Sequence, residues 1–272
     1  MPSPPAGALY RRHALPVRIM HWINVLALAV LLMSGLNIFD AYPELHWGRS
    51  SYSGREPLLQ IGAVEQANGE VRGITRLFGH PFDTTGWLGV ASGADGTLEA
   101  RAFPAWLTIP DNRWLALARS WHLTFAWLFV LNGLAYVAYS VFSRHLSRDL
   151  VPDRADWRGI GASLRDHLRL RHAHGQAATR YNVLQKLAYL AVIFVLLPLT
   201  IVAGLGMSPW ANAIAAGWVD LLGGRASART LHFACAWLIV LFVAIHVFQV
   251  IVTGLWNNLR SMITGRYRIT EP

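Results

Sequence analysis

Cysteine is almost absent: Cys235 stands alone among 272 residues. A disulfide framework is thereby excluded, and so is covalent attachment of a c-type haem, which needs a Cys-x-x-Cys-His motif. Charge is scarce as well. Asp, Glu, Lys and Arg together make up 14% of the chain, against about 25% in soluble domains. Lysine occurs once, as Lys186, so 23 arginines supply nearly all of the positive charge, and with 15 acidic residues the formal balance is +9. Such an excess would suit a nucleic-acid partner only if it gathered on one surface, so its distribution decides. Apolar residues are what the chain has in plenty. They account for 54% of it, above the usual range of about 45–50%.

Four stretches are long and apolar enough to cross a bilayer, whose hydrocarbon core of about 30 Å takes roughly 20 helical residues. They cover residues 17–39, 114–143, 181–207 and 228–259. None alternates as a strand would, and each far exceeds the length of a membrane β-strand. The expected fold is therefore an all-α integral membrane protein, a bundle of four transmembrane helices forming one membrane domain. Gly35, Gly204 and Gly254 lie near apolar ends, where a chain leaving a helix commonly uses glycine. Pro198, inside the third span, predicts a kink. Arg11, Arg12 and Arg18 give the first span some likeness to a secretory signal. Its apolar run outlasts the usual 7–15 or so residues and no clean small-x-small cleavage site follows, so it is read as a retained span.

Four crossings put both termini on the same side. The segments on that side (1–18, 144–180 and 260–272) hold 14 arginines and five acids, while the opposite segments (40–119 and 220–229) hold nine and ten. Positive residues mark the cytoplasmic face, which predicts cytoplasmic N- and C-termini in a bacterial inner membrane. The basic excess is then a topology signal, and no nucleic-acid partner is expected. Between spans one and two lies an external segment, 40–113, too long for a simple connection. With Trp47, Trp87 and Trp106, it is expected to form a cap of turns and short elements. The cytoplasmic loop, 144–180, sets Trp157, Ile160, Leu164 and Leu168 at helical spacing among arginines. That pattern fits a helix lying on an anionic leaflet and equally a solvated loop helix.

Eleven histidines are present, and His21, His122, His232 and His246 fall within or at the edge of spans, where ionisable groups are rare and usually functional. Taken singly, each could be a neutral imidazole bonded to a neighbouring helix. Together they form a pattern. His232 and His246 lie 14 residues apart on the fourth span, which returns to within about 40° of the same face after a rise of about 21 Å. They cannot share one metal ion, but each can serve one of two stacked centres. The arginine-derived topology places His246 in the inner half with His21, and His232 in the outer half with His122. Two imidazoles on different helices suit haem b, whose iron takes both as axial ligands. That closes the oxygen-binding position and favours electron transfer. Zinc would need a larger tetrahedral cluster.

A second motif points the same way. Arg18-Ile-Met-His21, Arg119-Ser-Trp-His122 and Arg229-Thr-Leu-His232 all read Arg-x-x-His, which sets each guanidinium one turn nearer the adjacent membrane surface. A haem propionate needs such a counter-charge. Snorkelling at a helix end accounts for Arg18 equally well, but less well for Arg119 and Arg229, which lie on the side that charge bias should deplete. His13, His145, His167, His172 and His174 are expected to be solvated, His46 and His80 to be surface residues of the external segment, and Cys235 to be a small packing residue.

On these motifs the chain resembles the bacterial di-haem cytochrome b family, which includes the b-type subunits of Ni/Fe-hydrogenases and the membrane subunits of formate dehydrogenase and thiosulfate reductase. Arg18-Ile-Met-His21-Trp22 opens the first span, Arg119-Ser-Trp-His122 lies in the second, and the His232/His246 pair lies in the fourth. Ser34-Gly-Leu-Asn-Ile-Phe39 and His46-Trp-Gly48 look most like the thiosulfate-reductase type of cytochrome b subunit. One departure is that His246 has no Arg-x-x-His companion. The resemblance implies an exchangeable quinone, and as partner a periplasmic molybdopterin-dependent oxidoreductase or another external redox subunit.

The leading expectation is an electron conduit between such a partner and a quinone, through an outer haem (His122/His232) and an inner haem (His21/His246). Its rival is a self-contained, quinone-linked haem oxidase or reductase acting on a small external species. A haem-free permease with histidine proton relays is a third possibility, which does not account for imidazoles paired at equal depth.

Overall fold

The computed structural model describes residues 8–51, 54–169 and 181–269. His172 and His174 lie outside the described residues, as does the side chain of His167. The opening strand β1 (Leu9–Arg11) leads into the first long helix, α1 (Leu15–Asp40). Six short strands, β2 to β7, follow between Glu44 and Arg101, and then α2 (Leu115–Phe142) and α3 (Arg154–Leu168). The rest comprises α4 (Val183–Ala191), α5 (Leu197–Gly206), α6 (Pro209–Ile214), α7 (Arg225–Val252), α8 (Leu255–Thr264) and β8 (Arg266–Arg268).

Among the described residues four helical stretches are long and apolar enough to cross a membrane: Leu15–Asp40, Leu115–Phe142, Val183–Gly206 and Arg225–Val252. Large apolar side chains such as Leu131, Leu134, Val195, Leu238 and Ile245 stand exposed on their surfaces. In water such surfaces would drive aggregation; in lipid they are the ordinary state. The third stretch is interrupted by one wide turn, Val192–Leu196, between α4 and α5. Pro198 follows directly as the second residue of α5. It has no N–H to offer the preceding turn, and the wider turn accommodates that loss. At the start of α4, Asn182 and Gln185 bond reciprocally to each other's backbone N–H, which satisfies two donors a helix leaves free. The fourth span is shorter than expected. It ends at Val252, and Gly254, with φ +107°, turns the chain into the separate helix α8.

The chain divides into two compact units. The first comprises Met1–Ile23, Leu131–Pro198 and Trp237–Pro272. In it β1 and β8 pair antiparallel, with Tyr10 opposite Tyr267. Arg12 lies over the rings of Tyr181 and Tyr267 and donates to Asn258. Helix α3 carries the residues whose spacing predicted a helix; Trp157 and Leu164 stand exposed on it, and Asp156 accepts from Lys186 at 2.7 Å.

The second unit comprises Asn24–Val130 and Leu199–Ala236. It corrects the expectation of an all-α chain. Strands β2 (Glu44–Leu45), β3 (Leu59–Glu65), β4 (Val71–Leu77) and β5 (His80–Asp83) form an antiparallel sheet in that order, and β6 (Gly89–Ser92) pairs with β7 (Leu98–Arg101). The physical reason is local. Asn68-Gly69 joins β3 to β4 and Asp95-Gly96 joins β6 to β7, and both glycines adopt the positive φ that tight hairpins require. The two β layers touch through glycine: a Cβ on Gly73 would strike the backbone of Leu88 and Val90. Leu36, Phe39, Leu45, Ile61, Ala102 and Phe103 form one buried cluster joining the end of α1 to the sheet.

Candidate functional site

Each unit holds one pair of histidines. In the first, His21 of α1 faces His246 of α7, with ring centres 6.4 Å apart and planes inclined at 57°. In the second, His122 of α2 faces His232 of α7, at 6.1 Å and 69°. A metal ion held about 2.0 Å from each of two opposed imidazoles separates their ring centres by roughly 6.4 Å once each ring's own radius is included. Both pairs fit an iron between them on that measure. Among the described residues no group of three or more His, Cys, Asp or Glu gathers as a metal cluster.

The second pair is oriented from behind. His232 Nδ1 lies 2.8 Å from the carbonyl oxygen of Thr200. His122 Nδ1 lies 3.1 Å from the carbonyl oxygen of Leu31 and 3.1 Å from Ser34 Oγ. A carbonyl only accepts, so each Nδ1 carries the proton. Ser34 has already committed its hydroxyl proton to the carbonyl of Val30, at 2.6 Å, so the His122 N–H is shared between two acceptors. In each ring Nε2 is left with its lone pair free, the state an axial ligand needs. Room for these contacts comes from glycine: a Cβ on Gly35 would sit 3.3 Å from the His122 ring, and one on Gly204 3.2 Å from the His232 ring.

The first pair is held differently. His21 meets Trp22 edge to face at 5.4 Å, and Phe242 stacks on His246 at 6.1 Å and 17°. Trp22 is in turn fixed by a bond from Nε1 to the carbonyl of Met262, at 3.2 Å. His21 Nδ1 is buried and has no hydrogen-bond partner among the described residues.

The three arginines of the Arg-x-x-His motifs have different surroundings. Arg18 donates to the carbonyls of Met262 and Ile263 at the end of α8, where a cation also complements the helix dipole. Arg119 is exposed and makes no hydrogen bond or ion pair among the described residues. Arg229 donates to the carbonyl of Tyr42 and lies over the rings of Phe39 and Tyr42, at 5.4 and 5.1 Å.

Other histidines depart from expectation. His46 is buried, only 6% exposed, rather than a surface residue. Its backbone carbonyl accepts from Thr230 at 2.7 Å, and the neighbouring Gly48 exchanges hydrogen bonds with Ser227. The packing of this turn against α7 buries the ring, and spacing along the chain carries no trace of that contact. His80 is exposed. His145 pairs with Asp149 at 2.7 Å. His13 is partly buried; desolvation, then the Arg12 charge, brings its pKa down to about 4. Cys235 is a buried free thiol in α7.

The chain is 27% identical over 257 residues to a putative protein-methionine-sulfoxide reductase subunit, YedZ1, of Azospira oryzae, covering 94% of this chain and 98% of that one. It is 24% identical over 265 residues to a probable Ni/Fe-hydrogenase B-type cytochrome subunit of Cupriavidus necator, covering 92% of this chain and 83% of that one. No solved structure matches. The model of one family, prokaryotic cytochrome b561, matches residues 12–265. Four membrane-length apolar helices and this match over almost the whole chain make the protein a membrane electron carrier of the b-haem type, and it belongs to the prokaryotic cytochrome b561 family.

Proposed function

We propose that the chain carries electrons across a bacterial inner membrane through two b-type haems, between the quinone pool and a redox partner outside the membrane. The observation that carries this reading is the presence of two separate opposed imidazole pairs, each with a spacing that suits one iron. Both pairs draw one member from α7, in which His232 and His246 stand fourteen positions apart. A haem held by such a histidine pair would supply a one-electron iron couple, and ligation by both imidazoles would favour electron transfer over oxygen chemistry.

The protein's own part is to hold, orient and insulate. His21 and His246 serve the inner centre, and His122 and His232 the outer. The carbonyls of Leu31 and Thr200 fix the outer imidazoles in one tautomer and raise their basicity as ligands. Arg229 sits one turn from His232 with its charge desolvated between two aromatic rings, and it is the best-placed counter-charge for an outer propionate. Arg119, at the same spacing from His122, supplies a second. Arg18 can do so for the inner centre while also closing the end of α8.

The arginine distribution supports cytoplasmic termini and an external 40–113 segment. That segment exposes Phe78, Trp87 and Trp106, aromatic side chains of the kind enriched at protein interfaces. The relatives' names, which make them subunits of a reductase and of a hydrogenase, support a docked redox partner there, of which a molybdopterin-dependent oxidoreductase is the leading class. Quinone is the natural exchange partner within lipid. A reduced-minus-oxidised visible spectrum with haem quantified per polypeptide tests the reading: two haems are expected, and one after His122→Ala. A colourless protein, or one with a single haem, would overturn it.

A further inference from the structure

His46 is a buried imidazole that the ligand set does not use. Its Nε2 lies 3.1 Å from Glu44 Oε2 and 3.4 Å from the Tyr42 hydroxyl, and its ring stacks on Tyr42. Glu44 is fixed in turn: Oε1 accepts from Gln60 Nε2 at 2.7 Å, and Gln60 Oε1 accepts from Arg76 at 2.9 Å. Burial pushes the Glu44 carboxyl up, but the bonds from His46, Tyr42 and Gln60 outweigh it and hold the group below the ordinary carboxylate range. Glu44 is therefore an anion near neutral pH. A carboxylate only accepts, so His46 Nε2 carries a proton and Nδ1 is the open position. That Nδ1 is buried and has no partner among the described residues. A buried acceptor left unpaired is unfavourable unless a proton or a donor reaches it.

The position of this group gives it a role. Thr230 holds the His46 carbonyl and Arg229 holds that of Tyr42, so the Tyr42–His46 turn is fastened to the α7 turn that leads to His232. The titratable groups against His46 are Glu44 and Tyr42 on its own segment; Arg229 of α7 lies over the Tyr42 ring, with Arg225 beyond it; and the β3 residue paired with Glu44 is the neutral Gln60. A carboxylate-oriented imidazole with one nitrogen open is the arrangement that accepts and returns a proton.

Resting on the two-haem reading above, we propose that the Glu44–His46 pair is the proton-exchanging group of the His122/His232 haem site. When that site gains an electron from its redox donor, His46 takes up one proton from solvent at Nδ1, while its Nε2 proton stays on the bond to Glu44. When the electron leaves, the proton returns. The positive imidazolium then balances the added negative charge in surroundings less polar than bulk water, where charges act on each other more strongly.

The test is a redox titration of the full-length protein in detergent at a series of pH values. The signal of this haem is assigned as the one lost in His122→Ala. In the unaltered protein its midpoint potential is expected to fall as pH rises. In His46→Gln, with both haems still present by spectrum, that dependence is expected to disappear, while the exposed control His80→Gln keeps it. Should His46→Gln lose the haem, Glu44→Gln decides. Without the carboxylate the imidazolium is less favoured, so the break in the potential–pH curve moves to lower pH. A pH-independent potential in the unaltered protein, an unchanged slope in His46→Gln, or an unmoved break in Glu44→Gln overturns the proposal. Absence of haem from the unaltered protein would instead bring down the two-haem reading.

Discussion

His232 rests its Nδ1 on the carbonyl of Thr200, 2.8 Å away, and the glycine one turn further along that helix, Gly204, leaves space for the ring. His122 repeats the arrangement with Leu31 and Gly35, the latter again one turn beyond the carbonyl. A carbonyl in mid-helix is already engaged with its own helix, so a side chain reaches it only from close by. The glycine is what permits that approach. An alanine at Gly204 or Gly35 would put a methyl 3.2 or 3.3 Å from the imidazole, tighter than ordinary packing. Overfilling of this kind costs about 1–3 kcal/mol. Gly204→Ala and Gly35→Ala should each lower occupancy of the outer haem while sparing the inner one, as read by haem per polypeptide and by the difference spectrum.

The pairing itself predicts a pattern among double variants. On the proposed two-haem reading, removing either member of one pair disables the same iron site, so His21→Ala combined with His246→Ala should lose no more haem than either change alone. His21→Ala combined with His122→Ala should lose both haems. Additive loss within a pair would show that the rings serve separate centres.

Arg229 combines a hydrogen bond to the Tyr42 carbonyl with stacking on two aromatic rings. A desolvated cation–π contact is worth up to about 2 kcal/mol, and truncation also frees the turn that carries His46. Arg229→Gln should lower the thermal midpoint and weaken retention of the outer haem by more than Arg119→Gln does, because the Arg119 side chain is exposed and unpaired among the described residues. Differential scanning fluorimetry of the two variants makes the comparison.

Acid should weaken the contact between α3 and α4. The hydrogen bond from Lys186, opposed by slight desolvation, holds the Asp156 carboxyl below its ordinary range. A carboxylate with a depressed folded-state pKa contributes stability above its unfolded pKa of about 3.9 and loses it as pH falls through the lower folded value. Asp156→Asn should remove that contribution, of the order of 1–3 kcal/mol for a charged hydrogen bond, near neutral pH. The variant and the unaltered protein should then converge in thermal midpoint as pH drops below about 4.

The helices were legible because a bilayer imposes a length that four apolar runs meet, and the histidine pattern because helical spacing and arginine bias both follow from chain order. The β-rich 44–101 region does not spell out strands in the sequence, although Asn68-Gly69 and Asp95-Gly96 are hairpin signals; its strands are short, and Trp, Pro and Gly among them read as irregular turns. His46 reads as a surface residue in the sequence, because its burial depends on Ser227 and Thr230, nearly two hundred residues away. Arg18 shows the same limit. Its spacing from His21 suggests a propionate contact, while its engagement with Met262 and Ile263 depends on α8, which Gly254 separates from the apolar run that the sequence presents as one span.

The pairing of Leu9–Arg11 with Arg266–Arg268 ties two distant parts of the polypeptide into a single ribbon. Hydrogen bonds between those strands cannot form through lipid, so both must share one aqueous compartment and the number of passes between them must be even. Reporters fused near either strand should therefore give matching readouts of sidedness, and loss of any one crossing would have to unzip this seam.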